Sequence, residues 1–306
     1  MITVIGEALI DIIVGPDGEV RTAAIGGAPL NTTRTLSRLG VSASFLGGVS
    51  TDVFGRRIMR MLAADGVHLA LGRQVSEPTT LAIAELDESG AATYRFVFDG
   101  TSAPAVTADM AHAALARLPE PGTAIHAGTL GLVLMPLAEA TRAVIAEADP
   151  TCLVMIDPNC RPVVMGPETV FRATLDAVLD RADVVKVSGD DLAFLMPDLA
   201  PVDAAREIHR HSGAVVLFTD GSHAVRIITA GVERELPVPP ITVVDTVGAG
   251  DAFSGGFLAE WTRRGLRRQD LRDVDALADA AAVGIAVASK TCQRAGAEPP
   301  FRHELA

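Results

Sequence analysis

Six short runs of nearly uninterrupted apolar residues mark the chain, at 2–6, 43–48, 123–127, 152–156, 183–187 and 214–218. Each is rich in Val, Ile, Leu or Ala. Strands that are apolar on both faces belong in a parallel sheet covered above and below. Between them, apolar residues recur at helical spacing over 29–39, 54–64, 107–117, 136–148, 168–180, 202–211 and 249–264. A further helix of small residues runs from Ala281 to Lys290. Alternating strands and helices predict a doubly wound α/β fold. Two stretches break the rhythm. Segments 9–25 and 79–98 read as strand pairs, with turns at Gly15-Pro16-Asp17-Gly18 and Asp87-Glu88-Ser89-Gly90. Residues Thr93 to Phe98 alternate polar and apolar, as a half-exposed strand does. A small sheet projecting from an α/β core suits a lid over a substrate site. The expectation is one α/β domain over residues 1–306, with 9–25 and 79–98 as inserted lid segments.

Composition narrows the function. The chain carries 26 Lys and Arg against 38 Asp and Glu, a net charge of −12. A nucleic-acid surface needs clustered basic residues, so that partner is not expected. Only two lysines occur, Lys186 and Lys290, and neither follows a glycine. A P-loop needs Gly-Lys-Ser or Gly-Lys-Thr, so that phosphate cradle is excluded. Cys152, Cys160 and Cys292 form no CxxC pair, as expected of reduced thiols in a cytoplasmic protein. The apolar N-terminus carries Glu7 and Asp11 and no basic leader, so it reads as a buried first strand. The apolar runs are too short for a membrane span.

The most informative stretch runs from Val243 to Phe257, containing Asp245-Thr246-Val247-Gly248-Ala249-Gly250-Asp251-Ala252-Phe253. A strand end leads through Gly248-Ala249-Gly250 into a helical pattern. Helix N-termini present unpaired N–H groups and a positive dipole end, which favour an anion. Glycines let the backbone curl round that anion. Asp251 is out of place in such a turn, because a carboxylate repels a phosphate. Either it is the base that takes a proton from an attacking hydroxyl, or it is a first-turn residue favoured by the dipole. A Rossmann fingerprint is absent, since position 253 is Phe and the first strand leads to Gly6-Glu7-Ala8-Leu9.

Asp-Thr-x-Gly-Ala-Gly-Asp-x-Phe, here Asp245 to Phe253, resembles the signature of the ribokinase-like, or PfkB, carbohydrate kinases. The resemblance implies that Asp251 is the catalytic base. It implies that the backbone of Gly248, Ala249 and Gly250 forms an anion hole, with Gly248 and Gly250 also contacting the nucleotide. A second glycine-opened helix, Gly26-Gly27-Ala28-Pro29-Leu30-Asn31 to Leu39-Gly40, resembles the family's other signature. Read from its residues alone, it is a ligand-binding turn or a plain strand-to-helix turn. The resemblance assigns Gly26, Gly27, Asn31 and Asp11 to the sugar. Asp157-Pro158-Asn159-Cys160-Arg161 resembles the fructokinase and 2-keto-3-deoxygluconate kinase branches, with Arg161 placed toward substrate or phosphate. After it, Val164-Met165 stands near where those branches carry Leu-Trp.

Ser188 and Asp191 match the family's Asn-x-x-Glu, which organises Mg²⁺ through water. Asp is shorter than Glu, and a helix N-cap by Ser188 or Asp190 is the competing reading. Thr219 and Gly221 match the nucleotide-binding Thr-x-Gly-x-x-Gly, with Ala224 in place of its last glycine. His223 in that turn reads as an exposed loop residue. The remaining histidines form no metal or triad pattern.

The resemblance therefore implies a ribokinase-like three-layer fold, a doubly wound sheet with a small β-sheet lid, and an ATP-dependent kinase acting on a primary hydroxyl. The cofactors would be ATP and Mg²⁺. Family members also bind a monovalent cation between the last loop and the Asp-Thr segment, and the sequence leaves the need for K⁺ open. A homodimer through the lid is expected. Gly-Gly-Ala-Pro and residues 96–103 look fructokinase-like, and no arginine follows Arg95 in that stretch to hold a sugar carboxylate. That points to fructose or a related neutral ketose. The alternatives are a 2-keto-3-deoxygluconate kinase, a ribokinase, a nucleoside kinase, or a non-catalytic sugar or nucleotide sensor. A dehydrogenase is disfavoured by the missing dinucleotide glycines.

Overall fold

The computed structural model describes residues 1–165 and 168–305. In chain order its elements are β1 (Ile2–Ile5), β2 (Leu9–Val14), β3 (Val20–Gly26), α1 (Ala28–Arg38), β4 (Ala43–Leu46), α2 (Val53–Ala64) and β5 (His68–Leu69). There follow β6 (Thr80–Leu86), β7 (Ala92–Val97), α3 (Ala108–Leu115), β8 (Ala124–Gly128), α4 (Leu137–Ala146), β9 (Leu153–Asp157), α5 (Glu168–Leu179) and β10 (Val184–Ser188). The chain closes with α6 (Gly189–Leu195), α7 (Pro201–Ser212), β11 (Val215–Thr219), β12 (Val225–Ile228), β13 (Glu233–Leu236), α8 (Ala249–Arg263) and α9 (Val274–Cys292).

The large sheet has the order β13-β12-β11-β10-β9-β8-β1-β4-β5. From β11 to β5 every pairing is parallel, while β12 and β13 add antiparallel at one edge. Alternate residues of its strands feed two different cores. Ile125, Val154, Ile156, Val185, Val187 and Val216 pack under α3 to α7. Val4, Ala124, Met155, Val184 and Leu217 pack under α1, α8 and α9. This is the three-layer arrangement that strands apolar on both faces require. α8 and α9 cross closely: a Cβ on Gly256 would stand 2.9 Å from the Cα of Gly284. Small residues therefore line that seam.

The second sheet has the order β3-β2-β6-β7. β2 pairs with β6 in parallel, with Leu9 opposite Thr80 and Asp11 opposite Ala82. Two local hairpins are thus joined side by side. Ala8, Ile10 and Leu30 pack the sheet's root against α2, whose Ile58 and Leu62 are buried. Leu9 and Ala82 lie in a separate apolar cluster with Leu130, Leu134 and Val164. Among the described residues, no helix is long and apolar enough to cross a membrane.

Candidate active site

In a doubly wound sheet, ligands bind outside the carboxyl ends of the strands. Asp157, Ser188 and Thr219 close β9, β10 and β11 there, and the N-terminus of α8 points into the same region. Gly248 is the N-cap of α8, with φ 77° and ψ 4°, a left-handed conformation that favours glycine. It makes no side-chain capping bond, so no side chain of the cap competes for the leading N–H groups. Ala249, Gly250 and Asp251 are the first three helical residues. The sequence thus placed the glycine-opened start of this helix where the structure has it.

Asp251 is only 8 % exposed. Asn31 Nδ2 donates to Asp251 Oδ2 at 2.9 Å, and Thr32 Oγ1 donates to its main-chain carbonyl at 3.3 Å. Burial pushes the Asp251 carboxyl up to about 6, and neighbouring Asp157 adds to the rise. The Asn31 bond, Lys186 and Arg161 pull the other way. A carboxylate with a pKa near the working pH is suited to proton abstraction. Asn31 Oδ1 is buried with no partner. A buried acceptor is costly unless something donates to it, which fits a ligand hydroxyl.

Asp11 stands directly over the backbone of Gly26: a Cβ there would lie 1.9 Å from Asp11 Oδ2. Gly27, at φ 114°, passes so close to Glu7 that a Cβ would meet its carbonyl oxygen at 2.4 Å. Gly27 is therefore required by close approach of backbone at the root of α1, and a side chain at Gly26 would displace the Asp11 carboxylate. Burial pushes Asp11 up to about 6, opposed by Arg161. The Arg161 side chain is exposed and donates to the carbonyls of Asn159 at 3.3 Å and Cys160 at 2.9 Å. Its charge opposes the burial-driven rise of Glu7, Asp11, Asp157 and Asp251 alike. Its charge thus acts on the small sheet and on the α8 turn together.

Three residues in this site were not singled out by the sequence. The first is Lys186, 4 % exposed on β10. Its Nζ lies 3.1 Å from Asp157 Oδ2 and 3.4 Å from Oδ1. A Cβ on Gly250 would stand 2.8 Å from Nζ. The sequence excludes a P-loop lysine, and the structure instead brings this strand lysine's ammonium against the first turn of α8. Burial opposes its charge, but Asp157 and Asp191 more than compensate and its pKa is raised. A lysine in the middle of the run Val184-Val185-Lys186-Val187 was the available signal. The second is Glu7, 1 % exposed, which accepts from the N–H groups of Ala28 and Leu130, each at 3.2 Å. Burial drives its carboxyl up to about 8. The third is Asn159, at φ 41°, whose Nδ2 donates at 3.0 Å to the hydroxyl of Thr129, itself at φ 50°. Such left-handed non-glycine residues concentrate at functional sites.

Ser188 and Asp191 realise the competing reading. They form a capping box on α6, with Asp191 N donating to Ser188 Oγ at 3.1 Å and Ser188 N donating to Asp191 Oδ2 at 2.8 Å. The Ser188 hydroxyl donates to the same Oδ2 at 2.6 Å, and Cys160 N donates to Oδ1 at 2.6 Å. Both oxygens of Asp191 are thus engaged, and it is 2 % exposed. Among the described residues, no group of three or more acidic, His or Cys side chains could hold a metal ion. Asp191, expected to organise Mg²⁺ through water, thus spends both carboxylate oxygens on protein donors. Thr219 pairs with Ser188 across β10 and β11, and its hydroxyl donates to Val187 O at 3.3 Å. Gly221 follows in an exposed turn at φ 55°. His223 is exposed there, its Nδ1 2.9 Å from Asp220.

Comparison with known proteins accords with this geometry. The model of the pfkB family carbohydrate kinases matches residues 1–304. A fructokinase of Rhizobium leguminosarum bv. trifolii is 31 % identical over 267 residues, covering 85 % of this chain and 79 % of its own. Fructokinase-1 of Zea mays is 30 % identical over 264 residues, covering 83 % and 80 %. The crystal structure of an ATP-bound fructokinase from Xylella fastidiosa superposes with a TM-score of 0.87 at 26 % identity, covering 99 % of this chain and 97 % of that one. An aminoimidazole riboside kinase from Salmonella enterica gives 0.84 at 25 % identity, covering 99 % and 98 %. The chain belongs to the pfkB family of carbohydrate kinases, as an ATP-dependent sugar kinase.

Proposed function

We propose that this chain transfers the γ-phosphoryl group of ATP to a primary hydroxyl of fructose or a related neutral ketose. The observation that carries this is Asp251: a buried carboxylate in the first turn of α8, held by Asn31 and sharing the field of Arg161 with the small sheet's Asp11. Asp251 takes the proton of the sugar hydroxyl as its oxygen attacks phosphorus in line. The N–H groups of Gly248, Gly250 and Asp251 face the charge that develops on the transferring group, the Ala249 N–H being given to the Thr246 carbonyl at 3.2 Å, and the Lys186 ammonium lies beside them. Asp11, Asn31 and the close-packed backbone of Gly26 and Gly27 orient the sugar. Arg161 neutralises the crowd of carboxylates that would otherwise repel the nucleotide. Ser188, Thr219 and Gly221 line the nucleotide side. Magnesium bound with ATP would supply positive charge against the phosphates, and Asp191, whose oxygens already accept from Cys160 and Ser188, would reach it through water. Closure of the small sheet as a lid excludes water and protects ATP from hydrolysis.

Fructose is favoured by the curated fructokinases that resemble this chain at about one-third identity. A second reading is a riboside with an apolar base. It is supported by the aminoimidazole riboside kinase likeness and by the apolar group of Leu9, Ala82, Phe96 and Val164 on the side of the small sheet that carries Asp11. ADP release with fructose, tagatose, ribose, 2-keto-3-deoxygluconate and adenosine, run beside Asp251→Asn, tests both. Highest kcat/KM for a ketose supports the first reading; highest kcat/KM for adenosine replaces it with the second. No release with any of them sinks the kinase mechanism. Two finer points complete the proposal. Asp245 ties Val247 N at 3.0 Å and Gly296 N at 2.8 Å, bridging the two loops between which a monovalent cation would sit, and rates in KCl against NaCl measure it. Val20, Tyr94 and Val97 are exposed on the edge strands of the lid, which supports pairing of two copies, and sedimentation reads the resulting mass.

A further inference from the structure

We propose that Arg34 is a positioning residue for phosphoryl transfer, holding the C-terminal loop against the turn that opens α8. The inference rests on the reading of that turn as the anion hole. Asn31, Arg34 and Arg38 stand three and four residues apart on α1, so they form one stripe. Asn31 holds the Asp251 carboxylate. One turn on, Arg34 is 4 % exposed and uses three nitrogens on three acceptors. Nε donates to Asp65 Oδ2 at 2.7 Å, Nη1 to the Ala297 carbonyl at 3.0 Å, and Nη2 to Glu298 Oε2 at 3.1 Å. Only a planar, forked cation can satisfy all three at once.

Ala297 is what makes this arginine matter to the chemistry. A Cβ on Gly248 would lie 2.5 Å from the Ala297 Cβ and 3.0 Å from its Cα. The loop therefore packs directly on the left-handed residue that aims the leading N–H groups of α8. From the other side, Gly296 N is tied to Asp245 at 2.8 Å. The loop has one anchor in the strand-to-helix turn and one in α1. If Arg34 lets go, Ala297 can withdraw and Gly248 loses its backing, so the N–H groups lose their aim. Misplacing reacting groups by an ångström costs about 10²-fold in rate.

Arg38 supplies an internal control. It shares Asp65, at 2.8 Å, and Glu298, but it reaches the carbonyl of Pro299 instead of Ala297, at 2.7 Å. Removing either arginine breaks the same ion network, yet only Arg34 touches the residue behind Gly248.

The experiment compares Arg34→Met, Arg34→Lys, Arg38→Met and Asp251→Asn, using whichever panel sugar gives the highest ADP release. Arg34→Met is expected to lower kcat about 10- to 100-fold with KM for sugar and ATP within about twofold, below the ~10²- to 10³-fold cost of deleting an oxyanion donor outright. Arg38→Met is expected to lose comparable thermal stability and keep kcat within about twofold. Arg34→Lys, a point charge without the fork, restores only part of the rate. Equal kcat in Arg34→Met and Arg38→Met, or an effect of Arg34→Met confined to melting temperature, overturns the proposal. If Arg34→Met does not fold, Arg34→Lys decides: full kcat overturns the proposal, and a reduced kcat at unchanged KM supports it. Full activity in Asp251→Asn would instead remove the reading of α8 on which the inference rests, so the two failures are distinguishable.

Discussion

Asp251→Asn should make the protein more stable while stopping it from working. Asp251 is 8 % exposed, and burial lifts its pKa from the ordinary 3.8 to about 6. A displacement of that size corresponds to about 3 kcal/mol. The folded state holds the proton more tightly than the unfolded chain. Between pH 4 and 6 the folded protein therefore binds more protons, and stability falls as pH rises through that window. Above about 6 the full penalty of a buried carboxylate is present. Asparagine removes that charge. Its carbonyl can still accept from Asn31 Nδ2, and its amide can reach toward the unpartnered Asn31 Oδ1. An amide that stays unsatisfied would return about 1–3 kcal/mol of the gain. The melting temperature of the variant should thus exceed that of the native protein by several degrees at pH 8, with the difference shrinking to nothing near pH 4. Turnover in an ADP-release assay should fall by about three or more orders of magnitude, and the native rate should rise with pH through about 6. A variant that is less stable than the native protein at pH 8, or whose stability difference does not change with pH, refutes the electrostatic reasoning. A variant with near-native turnover refutes the base role.

Lys186→Met strands Asp157, which is 3 % exposed, and should cost about 3–5 kcal/mol in urea unfolding. Adding Asp157→Asn should restore most of that stability but not turnover; a double variant with native kcat would show that the ammonium only neutralises Asp157. Asp11→Asn should raise the sugar KM about 10-fold or more while the ATP KM stays within about twofold, since a charged acceptor contributes about 1.5–3 kcal/mol to a hydroxyl bond. The native sugar KM should likewise climb as pH drops below about 6, where Asp11 takes up its proton. An unchanged KM on both counts would place Asp11 outside the sugar site.

The parallel strands and most helices could be read because both faces of the sheet are buried and each helix shows one apolar stripe. The pieces that escaped have weaker signatures. α6 is seven residues long, and its opening Ser188-Gly189-Asp190-Asp191 looks equally like a cap and a ligand set. Only the Cys160 N–H, 31 residues away in sequence, settles which oxygens of Asp191 are taken. β12 and β13 are four residues each, and the alternation of Glu233–Leu236 is too short to stand out. α9 starts at Val274, earlier than the small-residue run suggested, because Asp273 caps it through Asp275 N and Ala276 N, each at 3.0 Å. In the site, Asp251 and the glycines were legible because their chemistry is local to a turn. Lys186 and Arg34 were not, since their partners come from distant segments. Lys186 at least interrupts an apolar run, whereas Arg34 stands between Thr33 and Thr35 and carries no such signal.

The parallel seam between β2 and β6 has a kinetic consequence. Its register sets Leu9 against Thr80, so the seam joins segments between which α1, β4, α2 and β5 must already be folded back into place. A contact that closes so long a loop bears its entropic cost before any reward, whereas the β2–β3 and β6–β7 hairpins are local. The small sheet is thus completed only after its two hairpins have formed and the folding of what lies between them has brought them together. The contact between α1 and the α8 turn, Asn31 to Asp251, spans 220 residues, a longer loop still, so the two halves of the small sheet are joined by a shorter closure than the one that completes the site beneath them.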